Sequence, residues 1–188
     1  MTPTALLGVA TGLGSLAFLV AAFLPISRVY AMPGAQGKLD LINRSPWAWR
    51  TSQALFATGA PMTAAGLGLT VLLADLPWHP LLRCLPLVLL GAGATLWVRH
   101  THLRTITPDA WTAGSLPRWH FPAYTLLTIA GTAVTGLAFL DTGPTWLALT
   151  LLIAPALFLI AFVAFRDLPP FLHYLPTLAL AVEQIRGA

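Results

Sequence analysis

The chain has 188 residues, 57% of them hydrophobic and only 9% charged, with a mean hydropathy of +0.78. A soluble domain carries about a quarter charged residues, so a water-exposed globule is excluded at this step. Cys84 is the only cysteine, which excludes an intrachain disulfide, a CxxC redox pair and a thiolate metal cage. A net charge of +4 does not point to nucleic acid, because the cations sit singly between apolar runs and form no basic stripe. These features predict an all-α polytopic transmembrane bundle of five to six spans, forming one integral membrane domain over residues 1–188.

The first span is expected over about 6–24, since no charge precedes Arg28. It lacks the positive leading region and the small-x-small site of a cleavable signal, so it is read as retained. Gly8 and Gly12 stand at GxxxG spacing on it. A loop with Arg28, Lys38, Arg44 and Arg50 follows, and Ser45-Pro46 offers a helix cap with proline at the first helical position.

The second span, 51–74, fills the 24 uncharged residues between Arg50 and Asp75. Thr58, Gly59, Thr63, Gly66 and Thr70 give it a small, hydroxylated face, and Pro61 predicts a kink. The third span runs from about 81 to 98, with Arg83 near enough to its end to snorkel. Beyond it, Thr107-Pro108-Asp109 predicts a short helix carrying Trp111 on the membrane surface. The fourth span, 121–140, repeats the hydroxylated pattern with Thr125, Thr128, Thr132 and Thr135 beside Gly131 and Gly136. Helix packing accounts for both faces; a hydroxyl-lined solute cavity is the alternative.

The fifth span, 145–165, is almost wholly aliphatic and is expected to face lipid. A sixth segment, 168–185, holds Pro169, Pro170, His173, Pro176 and Thr177. It is expected to cross as a short, broken helix, with an interfacial amphipathic helix as the alternative. The second and third spans echo the fourth and fifth: a small-polar helix, an Asp, a Pro–Trp turn, then a Leu-rich helix containing proline. Such hairpin repeats occur in transporters.

Arg28, Lys38, Arg44, Arg50, Arg99, Arg104, Arg118 and Arg166 all fall on one side of this scheme, and the positive-inside rule places that side in the cytoplasm and the N-terminus outside. Nine of the ten cations are Arg, a bias typical of a GC-rich bacterial genome, so a bacterial cell (inner) membrane is expected. Trp47, Trp49, Trp78, Trp97, Trp119 and Trp146 fall at span ends and are read as headgroup anchors with no binding role.

Two constellations lie on the cytoplasmic side. His100, His102, His120 and His173 could ligate a metal or the iron of haem b. The neighbouring arginines repel a cation, however, and residues two apart on a helix do not share a face, so no cofactor and no metal is predicted, with haem b as the alternative. Arg99, Arg104, Arg118 and Arg166 could receive a phosphate or a lipid headgroup, although topology alone explains them.

No ionisable residue lies at the centre of the five main spans, which counts against coupled transport. Paired carboxylates, GxSxG, HExxH and a phosphate-cradling glycine loop are absent. The expected function is therefore a non-catalytic accessory subunit or a binder of lipid or an apolar ligand. Its expected partners are the bilayer, a membrane protein or a second copy, and no nucleic acid. The alternative is a membrane redox protein or lipid-modifying enzyme that uses the histidines.

Overall fold

A computed structural model describes residues 2–165 and 168–187. The described residues form eight α-helices and two 3-10 turns, with no strand. The helices are α1 (Pro3–Phe23), α2 (Ala35–Arg44), α3 (Pro46–Leu73), α4 (Pro80–Ile106), α5 (Pro108–Thr112), α6 (His120–Thr142), α7 (Thr145–Phe165) and α8 (Tyr174–Arg186). A 3-10 turn, Pro25–Tyr30, follows α1, and a second, Pro170–His173, leads into α8. Five helices (α1, α3, α4, α6 and α7) are long and apolar enough to cross a membrane. The chain is thus an all-α bundle of the polytopic kind.

Helix starts follow local chemistry. Proline opens α1, α3, α4 and α5, where its missing N–H costs nothing and its fixed φ suits a first turn. Ser45 and Thr107 occupy cap positions but make no side-chain cap bond. The Thr107 hydroxyl instead donates to the Leu103 carbonyl at 2.7 Å, satisfying the last turn of α4. That turn lies well beyond residue 98. Arg99, His100, His102 and Arg104 therefore ride on an extension of α4 and not on a loop.

The helices ring the bundle in the spatial order α8, α1, α3, α4, α6, α7, and α7 touches α8 only lightly. Glycine sets the closest approaches. A Cβ on Gly59 of α3 would lie 2.7 Å from the Gly14 carbonyl oxygen of α1, so these two backbones cross in direct contact. Gly8 and Gly12 turn the other face of α1 to α8, where their Cβ positions lie within 3.3 Å of Gln184 and Ala181. Gly131 and Gly136 seat Leu90 of α4 and Leu151 of α7 against α6.

The order of pairs Phe23–Phe171, Phe18–Tyr174, Ser15–Thr177 and Gly8–Gln184 makes α8 antiparallel to α1. The 13 residues of α8 and the four of its leading turn rise about 28 Å together, against about 31 Å for α1.

Inside the ring the hydroxyl faces meet. Ser15 lies 2.8 Å from the Thr177 hydroxyl and 3.4 Å from that of Thr63. Tyr124 and Tyr174 share a bond of 3.0 Å, and Gln184 donates to Thr70 at 2.8 Å. Outward-facing hydroxyls return to their own helix, as Thr58 does to Ala54 and Thr150 to Trp146. On α7 only Leu147, Ala148, Leu151 and Pro155 are buried, and most of its other apolar side chains are exposed.

Two ends result. At one, Arg83 donates to the Ala74 carbonyl, and the Trp78 indole donates to Asp141, tying the short α3–α4 connection to the end of α6. The other end carries α2, α5, both 3-10 turns and most of the cations.

Candidate ligand-binding site

The loop-bearing end holds a half-open cavity of about 540 Å3. Its wall comprises Phe18 and Ala22 of α1, Ser27, Tyr30 and Ala31 of the first turn and its exit, Phe56 of α3, Trp97 and Arg104 of α4, Trp111 of α5, Phe121 of α6, and Pro169, Pro170 and Phe171. Pockets of roughly 300–1,000 Å3, mostly apolar with a few placed polar groups, are what small-molecule sites look like.

The site is built on α4. Trp97, Thr101 and Arg104 are four and three residues apart, so they share one face, and all three are buried. Arg104 is 4% exposed, with its guanidinium 4.9 Å from the Trp97 ring, 5.4 Å from Tyr30 and 6.0 Å from Trp111. Trp111 in turn stacks on Trp49 at 5.2 Å, which docks α5 onto α3.

On the inner side, Phe18 stacks on Tyr174 at 3.8 Å and meets Phe56 at 4.6 Å, while Trp97 meets Tyr124 at 4.6 Å. These rings form a floor. Beneath it lies a second cavity of about 20 Å3, room for a single water, lined in part by Thr63, Thr128, Thr132, His173 and Thr177.

The electrostatics of Arg104 are unusual. Among the described residues its Nε and Nη2 have no hydrogen-bond partner, and no carboxylate pairs with it. Each cation–π contact contributes about 0.5–2 kcal/mol, whereas an ion removed from water without a counter-charge costs several. The aromatic faces offset only part of that cost.

The other polar side-chain groups of the wall include the Tyr30 and Ser27 hydroxyls and the Trp97 indole. Gln53 donates to the Tyr30 oxygen at 2.9 Å, and the Tyr30 O–H has no acceptor among the described residues. The Trp97 indole N–H is unpartnered too. Ser27 donates its hydroxyl proton to the Ala21 carbonyl at 2.6 Å, which leaves its oxygen able to accept.

The four candidate histidines do not converge. His100 and His120 meet with ring centroids 6.1 Å apart, His120 fully buried and neither of its nitrogens bonded to a described residue. His102 is exposed, as the i, i+2 spacing requires. His173 lies apart, edge-on to Phe158 at 4.9 Å and on the small inner cavity. None of the four lines the large cavity. Among the described residues no three metal-capable side chains come together.

Of the candidate arginines among the described residues, Arg99 and Arg118 are exposed and Arg104 enters the cavity. Arg166 lies outside the described residues.

The tryptophans divide in a way that interfacial anchoring does not foresee. Trp47, Trp119 and Trp146 are more than half exposed, but Trp49 and Trp97 are each 2% exposed. Trp97 therefore changes from a headgroup anchor to a wall of the site. The aromatic lining from Phe18, Tyr30, Phe56 and Phe171 also escapes a sequence reading. The one available signal was the spacing of Trp97, Thr101 and Arg104, visible only if α4 is taken to continue past Arg99. No family model, curated protein or solved structure matches this chain.

Proposed function

We propose that the chain is a multi-pass membrane protein that binds one small amphipathic molecule, its apolar body held by the aromatic rings of the large cavity. The observation that carries this reading is the cavity itself: about 540 Å3, walled by seven aromatic side chains, with one buried cation. At about 30 Å3 per water-sized group, this volume suits a molecule of roughly twenty non-hydrogen atoms, such as a single acyl chain or a compact ring system, and not an entire two-chain phospholipid.

In the proposed topology the N-terminus is outside, the cavity opens at the cytoplasmic level, and α8 crosses as a sixth span. The clustering of cations beside the cavity and the antiparallel packing of α8 along α1 support this arrangement.

The test is titration of the detergent-solubilised chain with 9,10-dibromostearate, whose bromines quench indoles on contact. Saturable quenching at one molecule per chain is expected, with loss of that component in a Trp97→Phe, Trp111→Phe double variant. Filling the cavity by Ala22→Phe and Ala31→Phe is expected to weaken binding at least tenfold. Quenching that rises without saturation, or that ignores the filled cavity, refutes the reading.

A further inference from the structure

We infer that the ligand's polar end is an oxyanion, a carboxylate or phosphate, and that Arg104 is the residue that receives it. This rests on the binding reading above and names the chemical class of its ligand.

Three observations converge. Arg104 lines the cavity and is 4% exposed, with two guanidinium nitrogens lacking any partner among the described residues. The groups that surround it are aromatic faces, which hold a cation in place without neutralising it. The Tyr30 O–H and the Trp97 indole N–H have no acceptor among the described residues, and Ser27 has given its proton to Ala21.

A wall whose unused polar hydrogens lie on Arg104, Tyr30 and Trp97 favours a ligand group that accepts. An ionised carboxylate or phosphate takes up several of these donors at once and brings none of its own. Charge then fixes the choice among acceptors, because an anion supplies the counter-charge that the described residues do not give Arg104.

Gln53 has a supporting role. Its amide N–H holds the Tyr30 oxygen as acceptor, which leaves the phenol proton free to bond the anion. Gln53 is accordingly a positioning residue. The exposed Arg99 and Arg118 at the same end add long-range attraction for an anion without touching the site.

The experiment compares 9,10-dibromostearate, its uncharged methyl ester and the phosphate of the corresponding alcohol as indole quenchers of the full-length protein. Acetate and inorganic phosphate serve as headgroup-only competitors. The acid and the phosphate are expected to bind at least tenfold more tightly than the ester. Arg104→Gln should abolish the preference, so that acid, phosphate and ester bind alike within the variant, and Arg104→Lys should retain part of it. Gln53→Leu should reduce the preference severalfold without abolishing it.

Acid and ester binding equally to the unaltered protein overturns the inference and leaves the binding reading intact, and this comparison needs no variant to fold. Saturation by none of the three overturns both. Displacement of the acid by free phosphate or acetate alone, at concentrations too low for general salt screening, makes a free anion the ligand and overturns the amphipathic reading, while keeping Arg104 as its receptor. Asp167, two residues before Pro169 in the sequence, supplies the last arm: a tenfold gain in acid affinity on Asp167→Asn would make that side chain the native counter-charge and overturn the inference.

Discussion

Gly59→Ala isolates the contact on which the site depends. The added Cβ would stand 2.7 Å from the Gly14 carbonyl oxygen, 2.9 Å from the Phe18 amide nitrogen and 3.1 Å from the Phe18 Cβ. Ordinary contact begins at 3.4 Å, so α1 and α3 must part by about 0.7 Å. Relief is blocked on the far side, where Gly8 and Gly12 already hold α1 against α8. Overpacking of this kind costs about 1–3 kcal/mol. Gly91→Ala is the control, because nothing lies within 4 Å of the position its Cβ would take, and replacing a helical glycine there should be neutral or gain up to about 1 kcal/mol.

Thermal unfolding in one detergent, followed by helical circular dichroism, reads both variants. Gly59→Ala should unfold several degrees below the parent and Gly91→Ala at or above it. Because Phe18 is a cavity wall and abuts Gly59, the first variant should also weaken dibromostearate quenching. Equal stability of the two variants, or the reverse order, would refute the claim that backbone contact between α1 and α3 holds the bundle and shapes the cavity.

Other outcomes follow from the same packing. Tyr124→Phe removes the 3.0 Å bond to Tyr174 and strands a buried hydroxyl, at a cost of about 1–2 kcal/mol. Thr150→Val, whose outward hydroxyl bonds only its own helix, should change the unfolding midpoint by less than the detection limit. Equal losses in the two variants would contradict the distinction between the inner and outer hydroxyls. Reporter fusions after residues 40 and 110 should report cytoplasm, and those after residue 142 and at the C-terminus the exterior; a cytoplasmic C-terminus would show that α8 turns back. Since no histidine lines the large cavity, the purified protein should show no Soret band, and a Soret band abolished by His120→Ala would overturn that expectation.

The sequence alone determined the class of the protein. Apolar runs bounded by single charges are a one-dimensional property, because the bilayer imposes a fixed length of about 20 apolar residues on every helix that crosses it. The uncharged stretches flanked by Arg50, Asp75, Arg118 and Asp141 therefore mark helices whatever those helices pack against. Gly8 and Gly12 likewise announced a close helix approach, though not that α8 would be the partner.

What sequence could not decide is which way a side chain turns at a helix end. Trp97 and Trp119 both sit where interfacial anchors belong, yet one is buried and the other exposed, because α4 continues past Arg99 and rotates Trp97 and Arg104 onto the inner face. The same rotation leaves Arg99 and His102 outside. Arg99, Arg104 and Arg118 look equivalent in the sequence but part company, and of these three only Arg104 meets the rings of Tyr30 and Trp111, which come from two different connecting segments. That convergence is a tertiary event. A single membrane helix specifies its own length, while the site required seven segments to close around one cavity.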